Sequence, residues 1–248
     1  EISLGLVGSE MCIRDSCMRN KKWISLAVAV VLTVTALPAT VFAAKDGESK
    51  EELTKVTLNE VAHSIFYAPQ YVAIEEGYFA EEGLDLTLVT GFGADKTMTA
   101  VISGEADIGF MGAEASIYAY QEGATDPVVN FAQLTQRAGN FLVAREEMPD
   151  FTWDDLKDKR VLGGRKGGMP EMVFEYILRN HNIDPATDLE IDQSIDFGST
   201  AAAFTGDMSA DFTVEFEPSA TALEKEGKGY VVASLGVDSG YVPYTSYS

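Results

Sequence analysis

Cysteine and histidine are scarce in this sequence of 248 residues. Cys12 and Cys17 are its two cysteines, and both precede the part that we expect to fold. The expected globular part therefore has no disulfide, no thiolate metal site and no cysteine nucleophile. His63 and His181 are the two histidines, which are too few for a histidine-rich metal site. We predict no metal and no cofactor.

Basic residues are also few, since 18 Lys and Arg stand against 39 Asp and Glu, for a net charge of −21. So acidic a chain repels nucleic acid and anionic lipid, and we predict neither as a partner. Hydrophobic residues make up 46% of the sequence, which suffices for a packed core in one large or two small domains.

The N-terminal region is unlike the rest of the chain. Residues 1–17 resemble translated adaptor or upstream sequence, and we exclude them from the fold. Residues 18–43 combine basic residues, an apolar stretch and small residues ending at Ala43. This order predicts a signal peptide cleaved after Ala43, with an uncleaved membrane anchor as the alternative. The charged segment 44–55 is predicted to be a linker.

Residues 85–121 organise the predicted fold. Residues 85–90 and 107–111 read as strands, and residues 95–103 and 113–121 read as helices. We expect the two strands to be parallel neighbours, with both strand-to-helix turns at their carboxyl ends. Open α/β sheets bind ligands at this edge.

Glycines punctuate these turns and the helix between them. Gly91, Gly93 and Gly112 follow the two strands, and they either only form tight turns or let a ligand approach the backbone. In helix 95–103 the spacing places Met98, Val101 and Ile102 on one inward face, and Gly104 is expected to end the helix.

The remaining sequence continues to alternate between strands and helices, which predicts an α/β fold. The predicted strands and extended segments are 56–61, 128–136, 140–145, 160–162, 211–215 and 230–237. The predicted helices are a first one that ends at Gly77, a short one at 153–157 with Thr152 as N-cap, 170–180, and one from Glu217 to near Gly227. Helix 170–180 turns Val173, Phe174, Ile177 and Leu178 inward.

Several short motifs occur together and resemble the periplasmic-binding-protein type 2 superfamily. The resemblance covers about residues 56–245 and is closest to binding proteins for sulfonates, nitrate, taurine and thiamine-pyrimidine precursors. It is carried by residues 67–73, 76–79, 82–84, 103–109, 163–168 and 216–218. Pyrimidine-precursor binders carry a His-x-Gly pattern where this chain has Tyr67-Ala68-Pro69.

The resemblance implies two α/β lobes, each a mixed, mostly parallel sheet flanked by helices. Lobe 1 would span residues 56–139 and lobe 2 residues 140–238, with residues 239–248 crossing back towards lobe 1. The family's chains continue beyond that point, so we expect a C-terminally truncated fragment with an incomplete lobe 1.

The resemblance also implies an extracytoplasmic solute-binding component of an ABC importer, in the periplasm or on the cell surface of a bacterium. It would bind a small sulfonate-like or heteroaromatic nutrient and deliver it to a permease. Membrane contact would come only through that permease or an uncleaved anchor. We predict no enzymatic activity. The alternatives are an enzyme like the thiamine-pyrimidine synthases and an extracellular ligand-sensing domain.

Ten residues near the expected turns are candidate ligand contacts: Tyr67, Gly91, Gly93, Gly112, Glu114, Arg165, Gly167, Gly168, Phe216 and Glu217. Tyr67 and Phe216 either pack in the core or stack on the ligand. Arg165 is either a surface residue or grips an acidic ligand group with both guanidinium arms.

Three glutamates, Glu114, Glu171 and Glu217, are predicted to lie in the first turns of helices. There they either only stabilise the helix dipole or also face the ligand. If they face it, they repel a bare anion and favour N–H donors. The sequence therefore predicts a small polar organic ligand with a flat portion and at most one negative group.

Overall fold

The computed structural model describes residues 52–196 and 198–248. The adaptor-like segment 1–17 and the predicted signal peptide 18–43 lie outside the described residues, as does most of the predicted linker 44–55. Within the described ranges, no helix is both long enough and apolar enough to cross a lipid bilayer.

Strands and helices alternate along the described chain. The strands are β1 Thr54–Glu60, β2 Leu84–Thr90, β3 Ile108–Met111, β4 Ala132–Thr135, β5 Asn140–Ala144, β6 Arg160–Leu162, β7 Glu190–Asp192, β8 Phe212–Phe216, β9 Tyr230–Ser234 and β10 Thr245–Tyr247. The α-helices are α1 Ala68–Glu75, α2 Tyr78–Glu81, α3 Ala94–Ser103, α4 Glu114–Gln121, α5 Met169–Asn180, α6 Thr200–Gly206, α7 Ser219–Lys225 and α8 Leu235–Asp238. Short 3-10 helices occupy Ile65–Tyr67 and Trp153–Leu156.

The first sheet has the strand order β2-β1-β3-β10-β4. Strand β1 pairs in parallel with both β2 and β3, whereas β10 pairs antiparallel with β3 and β4. The prediction that β2 and β3 are neighbours is wrong, because β1 lies between them. The last strand of the chain thus lies inside the first sheet, next to the strand that precedes Gly112.

The second sheet has the strand order β7-β6-β8-β5-β9. Strand β6 pairs in parallel with β7 and β8, and β5 pairs antiparallel with β8 and β9. The predicted inward face of α5 is confirmed: its four apolar residues are buried in the core beneath this sheet, namely Val173, Phe174, Ile177 and Leu178. Thr152 caps its short helix as predicted, in a reciprocal capping box with Asp155.

Two segments connect the sheets, residues 136–139 after β4 and residues 239–244 before β10. They are hydrogen-bonded to each other near the first sheet. The N–H of Val242 donates to the carbonyl of Gln136 at 3.0 Å, and the N–H of Tyr244 donates at 3.2 Å to the carbonyl of Thr135, the last residue of β4. This pairing brings Tyr244 to the place where the two sheets meet.

Helix α3 is rotated relative to the face that its sequence predicts. Ile102 is 60% exposed, so its predicted inward position is wrong. The inward face instead includes Thr97, whose hydroxyl donates to Asn59 Oδ1 at 2.8 Å in the first sheet. Thr97 is fully buried, and a buried hydroxyl left without a partner would be costly, so its bond to Asn59 is what this inward position requires. The predicted end of the helix at Gly104 is confirmed, with a left-handed φ of 76°.

The predicted strand 230–237 is shorter than expected, because it ends at Ser234 and α8 follows it. Leu235 turns into the core, where it is fully buried. Gly236 lies against the carbonyl of Ala138, where a Cβ would overlap the oxygen. The last three residues of the predicted strand therefore belong to α8, which packs closely against the connecting segment.

Candidate functional site

A cavity of about 280 Å3 lies between residues of the first and second sheets, and we call it the interlobe cavity. It is lined by residues that follow β1, β2, β3 and β6, by the end of β8 and the residues after it, by Gly198 and Thr200 at the start of α6, and by the segment that enters β10. Its wall is mostly apolar with a small number of polar groups, as is usual for small-molecule sites.

Glu114, the first residue of α4, brings a buried carboxylate to this cavity. Gly112 makes room for it, because a Cβ at Gly112 would overlap both carboxylate oxygens. Glu114 is only 4% exposed, and burial raises the pKa of its carboxyl to about 7, although the backbone N–H groups of Glu114 and Met169 act in the opposite direction. Its Oε2 atom has no hydrogen-bond partner among the described residues.

Glu215, near the end of β8, brings a second buried carboxylate to the cavity. It accepts a hydrogen bond from the Thr213 hydroxyl at 2.7 Å. Burial raises the pKa of its carboxyl to about 7, and the hydroxyls of Thr213 and Thr200 limit the rise. Sequence reasoning missed Glu215. The signal for it is an acidic residue in an otherwise apolar strand, just before a strand-to-helix turn.

Aromatic side chains form one wall of the cavity. Tyr67 is buried with its ring edge-to-face on Phe110, at a centroid distance of 4.6 Å. Phe216 lies 5.5 Å from Phe66, whose ring also meets Tyr244 at 5.6 Å. Tyr67 and Phe216 thus both pack on other rings and line the cavity. Tyr244, which sequence reasoning missed, is 2% exposed, and its hydroxyl has no hydrogen-bond partner among the described residues.

Arg165 lies at the rim of the cavity and is held by Asp95, the second residue of α3. Its two guanidinium arms donate to the two carboxylate oxygens at 3.0 Å each. Gly93 lets the guanidinium approach, because a Cβ there would lie 2.6 Å from Arg165 Nη1. The acidic group that Arg165 was predicted to grip is therefore, in this structure, a carboxylate of the chain itself.

Eight of the ten candidate residues line the interlobe cavity, and Gly91 and Gly167 do not. Gly91 leaves space for the Asn59–Thr97 hydrogen bond, since a Cβ there would lie 2.5 Å from Asn59 Oδ1. The N–H of Gly167 donates to Glu171 Oε2 at 3.2 Å, on the side of a separate surface depression.

The three glutamates predicted at helix starts differ in their surroundings. Glu114 faces the cavity, whereas Glu171 lines the separate depression, where burial and the neighbouring Glu175 raise its pKa to about 7. Glu217 precedes α7, which begins at Ser219, so its predicted place in the first turn is wrong. It lines the cavity, but both of its oxygens accept hydrogen bonds from Thr221 in α7, from the hydroxyl at 2.7 Å and from the N–H at 3.1 Å. Among these three, only Glu114 has an unpartnered oxygen in the cavity.

Known proteins with similar sequences and structures include several binding proteins. The chain is 50% identical over 226 residues to the "Putative binding protein YtlA" of Bacillus subtilis strain 168, covering 91% of this chain and 66% of YtlA. The alkanesulfonate-binding protein SsuA from Xanthomonas axonopodis pv. citri, bound to MOPS, matches 79% of this chain with a TM-score of 0.60 and 18% identity. A ligand-binding component of an ABC-type import system from Staphylococcus aureus, with zinc bound, matches 78% with a TM-score of 0.59 and 17% identity.

The chain spans about two thirds of these relatives, 66% of YtlA and 65% of each of the two solved structures. The structural matches confirm the predicted α/β class with two mixed sheets flanked by helices, as in periplasmic-binding-protein type 2 folds. The family model described as "NMT1/THI5 like" matches residues 65–241, which is most of the chain. By this match, the chain belongs to the NMT1/THI5-like family.

Proposed function

We propose that this chain is the extracytoplasmic solute-binding component of an ABC importer. It holds a small polar organic solute in the interlobe cavity and delivers it to a permease. The observation that carries the proposal is the cavity itself. It lies between residues of the two sheets, at the ends of β3 and β8, with aromatic walls and two buried carboxylates.

The relatives support the proposal through what their names say of them. One is described as a binding protein, one as an alkanesulfonate-binding protein, and one as the ligand-binding component of an ABC-type import system. The extracytoplasmic location rests on the signal-like residues 18–43. Delivery to a permease follows from this location, because a solute-binding protein outside the cytoplasmic membrane needs a membrane protein to move its solute inward.

Catalysis is not part of the proposal. The residues that line the interlobe cavity include no cysteine, and His63, the histidine among them, has its Nδ1 2.9 Å from Glu60 Oε1. Its ring also stacks on Tyr71 at 4.4 Å. Covalent catalysis needs a nucleophile paired with a free base. Among the residues that line the cavity, His63 is engaged by Glu60 and does not serve as that base.

The proposal is tested by native mass spectrometry of the full chain, incubated with a low-molecular-weight cell extract and then desalted. We expect one solute to remain bound per chain. Ala94→Trp, which fills the interlobe cavity, should abolish the complex, and Ala186→Trp in the separate depression should retain it. Absence of any bound solute, or equal binding by the Ala94→Trp variant, would contradict the proposal.

A further inference from the structure

Two buried polar atoms in the interlobe cavity lack a partner among the described residues: Glu114 Oε2 and the hydroxyl of Tyr244. Both side chains are more than nine-tenths buried. Native structures seldom leave such groups unpaired, so each calls for a bonding partner. The two groups also interact electrostatically. Burial is the main cause of the raised pKa of the Tyr244 hydroxyl, and the charges of Tyr67 and Glu114 raise it further.

The basic side chains that line the cavity are already engaged. Arg165 is held in a two-pronged pair by Asp95, and the ring of His63 is bonded to Glu60. No ion pair within the described residues joins a Lys, Arg or His to Glu114 or Glu215. Two buried carboxylates thus face the cavity without a cationic side chain beside them.

The local structure around Gly112 accommodates the Glu114 carboxylate in this position. Gly112 leaves the space in which the carboxylate lies, because a Cβ there would overlap both carboxylate oxygens. The carboxylate is therefore part of a built site and not a surface group that happens to point inward. A buried acceptor of this kind is best satisfied by a charged donor, which gives the shorter and stronger class of hydrogen bond.

We propose that the solute carries a protonated nitrogen head, an amidinium or amine on a flat ring, that donates N–H groups to Glu114 Oε2 and lies against the Tyr244 hydroxyl. This inference rests on the proposed function and narrows its solute class. Rings of Tyr67 and Phe216 contact the flat part of the solute. A sulfonate or carboxylate head would instead meet two carboxylates, with Arg165 already occupied.

Four probes of similar shape test the inference: benzamidine, benzamide, benzoate and benzenesulfonate, each titrated calorimetrically into the full chain at pH 8. At this pH the Glu114 carboxyl, with a pKa of about 7, is mostly ionised. We expect benzamidine to bind at least about tenfold more tightly than the other three, as for a gained charge-assisted hydrogen bond.

Three variants test which residues cause the preference for benzamidine. Glu114→Gln should remove it, and Tyr244→Phe should reduce it by weakening benzamidine more than benzoate. Glu171→Gln, a matched glutamate that is equally buried but outside the cavity, should keep it. If Glu114→Gln does not fold, the benzamidine preference of Tyr244→Phe tests the inference by itself.

Each outcome counts for or against the inference. A preference for benzenesulfonate or benzoate, or a benzamidine preference that survives Glu114→Gln, overturns the nitrogen head but leaves solute binding intact. Failure of all four probes also overturns the nitrogen head. The proposed function fails separately, if no solute from cell extract is retained in the desalted complex.

Discussion

Arg165 and Asp95 are joined by two parallel hydrogen bonds of 3.0 Å, and these join the loop after β6 to the start of α3. The pair therefore connects a loop of the second sheet to a helix that packs on the first sheet, beside the interlobe cavity. Its side chains are 41% and 59% exposed, so water and salt screen it strongly. An exposed pair of this kind contributes little to the free energy of unfolding. It can nevertheless fix the distance between the loop after β6 and the start of α3.

Asp95→Asn tests this connection. We expect it to lower the free energy of unfolding by less than about 1 kcal/mol, because exposed ion pairs contribute no more than that. It should nevertheless increase the radius of gyration in small-angle scattering, since the lobes lose a contact. Glu226→Gln is the matched control, because its pair with Lys228 has similar exposure but lies within one lobe. Equal scattering for the two variants would contradict the role of the pair.

Gly112→Ala tests the space that the Glu114 carboxylate occupies. The added Cβ overlaps both carboxylate oxygens and forces the flexible Glu114 side chain to shift, so we expect the free energy of unfolding to fall by about 1 kcal/mol, the low end of the range for overpacked cores. Gly206→Ala is the control, since a Cβ there meets nothing within 4 Å and its backbone lies outside the left-handed region. That variant should be neutral or more stable by up to about 1 kcal/mol in urea unfolding. A Gly112→Ala protein as stable as Gly206→Ala would show that the carboxylate is not held there.

Stability should fall as pH rises from about 5 to 7. Glu114, Glu171 and Glu215 have folded-state pKa values of about 7, above the ordinary 4.5, because of burial. In this interval the folded state binds more protons than the unfolded state, so deprotonation favours unfolding, by at most about 1.4 kcal/mol per pH unit for each group. Carboxyls with lowered pKa values, such as Asp207, are already ionised in both states above pH 5 and add no slope there.

Urea unfolding at pH 5, 6, 7 and 8 measures this slope. Glu114→Gln and Glu215→Gln should each flatten it, because the amide does not titrate. Glu105→Gln, an exposed glutamate on the turn before β3, should leave it unchanged. Stability that rises with pH over this interval would mean that the three carboxyls are not buried as described.

Local sequence was enough to predict the parts of the site that lie next to one another along the chain. The run from β3 through Gly112 to Glu114 combines a short apolar strand, a glycine turn and a helix start, each visible in neighbouring residues. Helix α5 was equally readable, because its apolar spacing matches its buried face.

The parts that depend on distant pairing could not be predicted. Tyr244 reaches the cavity because β10 inserts between β3 and β4, a pairing that no local pattern records. Asp95 and Arg165 are 70 residues apart, and their contact depends on how the lobes meet. Ile102 was misplaced for a related reason, because α3 turns Thr97 towards β1, and the Asn59 partner of its hydroxyl is not recorded in the spacing of the helix.

Hydrogen–deuterium exchange tests most directly whether a solute binds between the lobes. The full chain would be compared with and without the solute that native mass spectrometry identifies. We predict slower exchange of backbone amides in both lobes together, at residues 112–116 and at residues 214–221, with no change in the separate depression at residues 185–193. Protection confined to one lobe, or centred on residues 185–193, would contradict binding in the interlobe cavity.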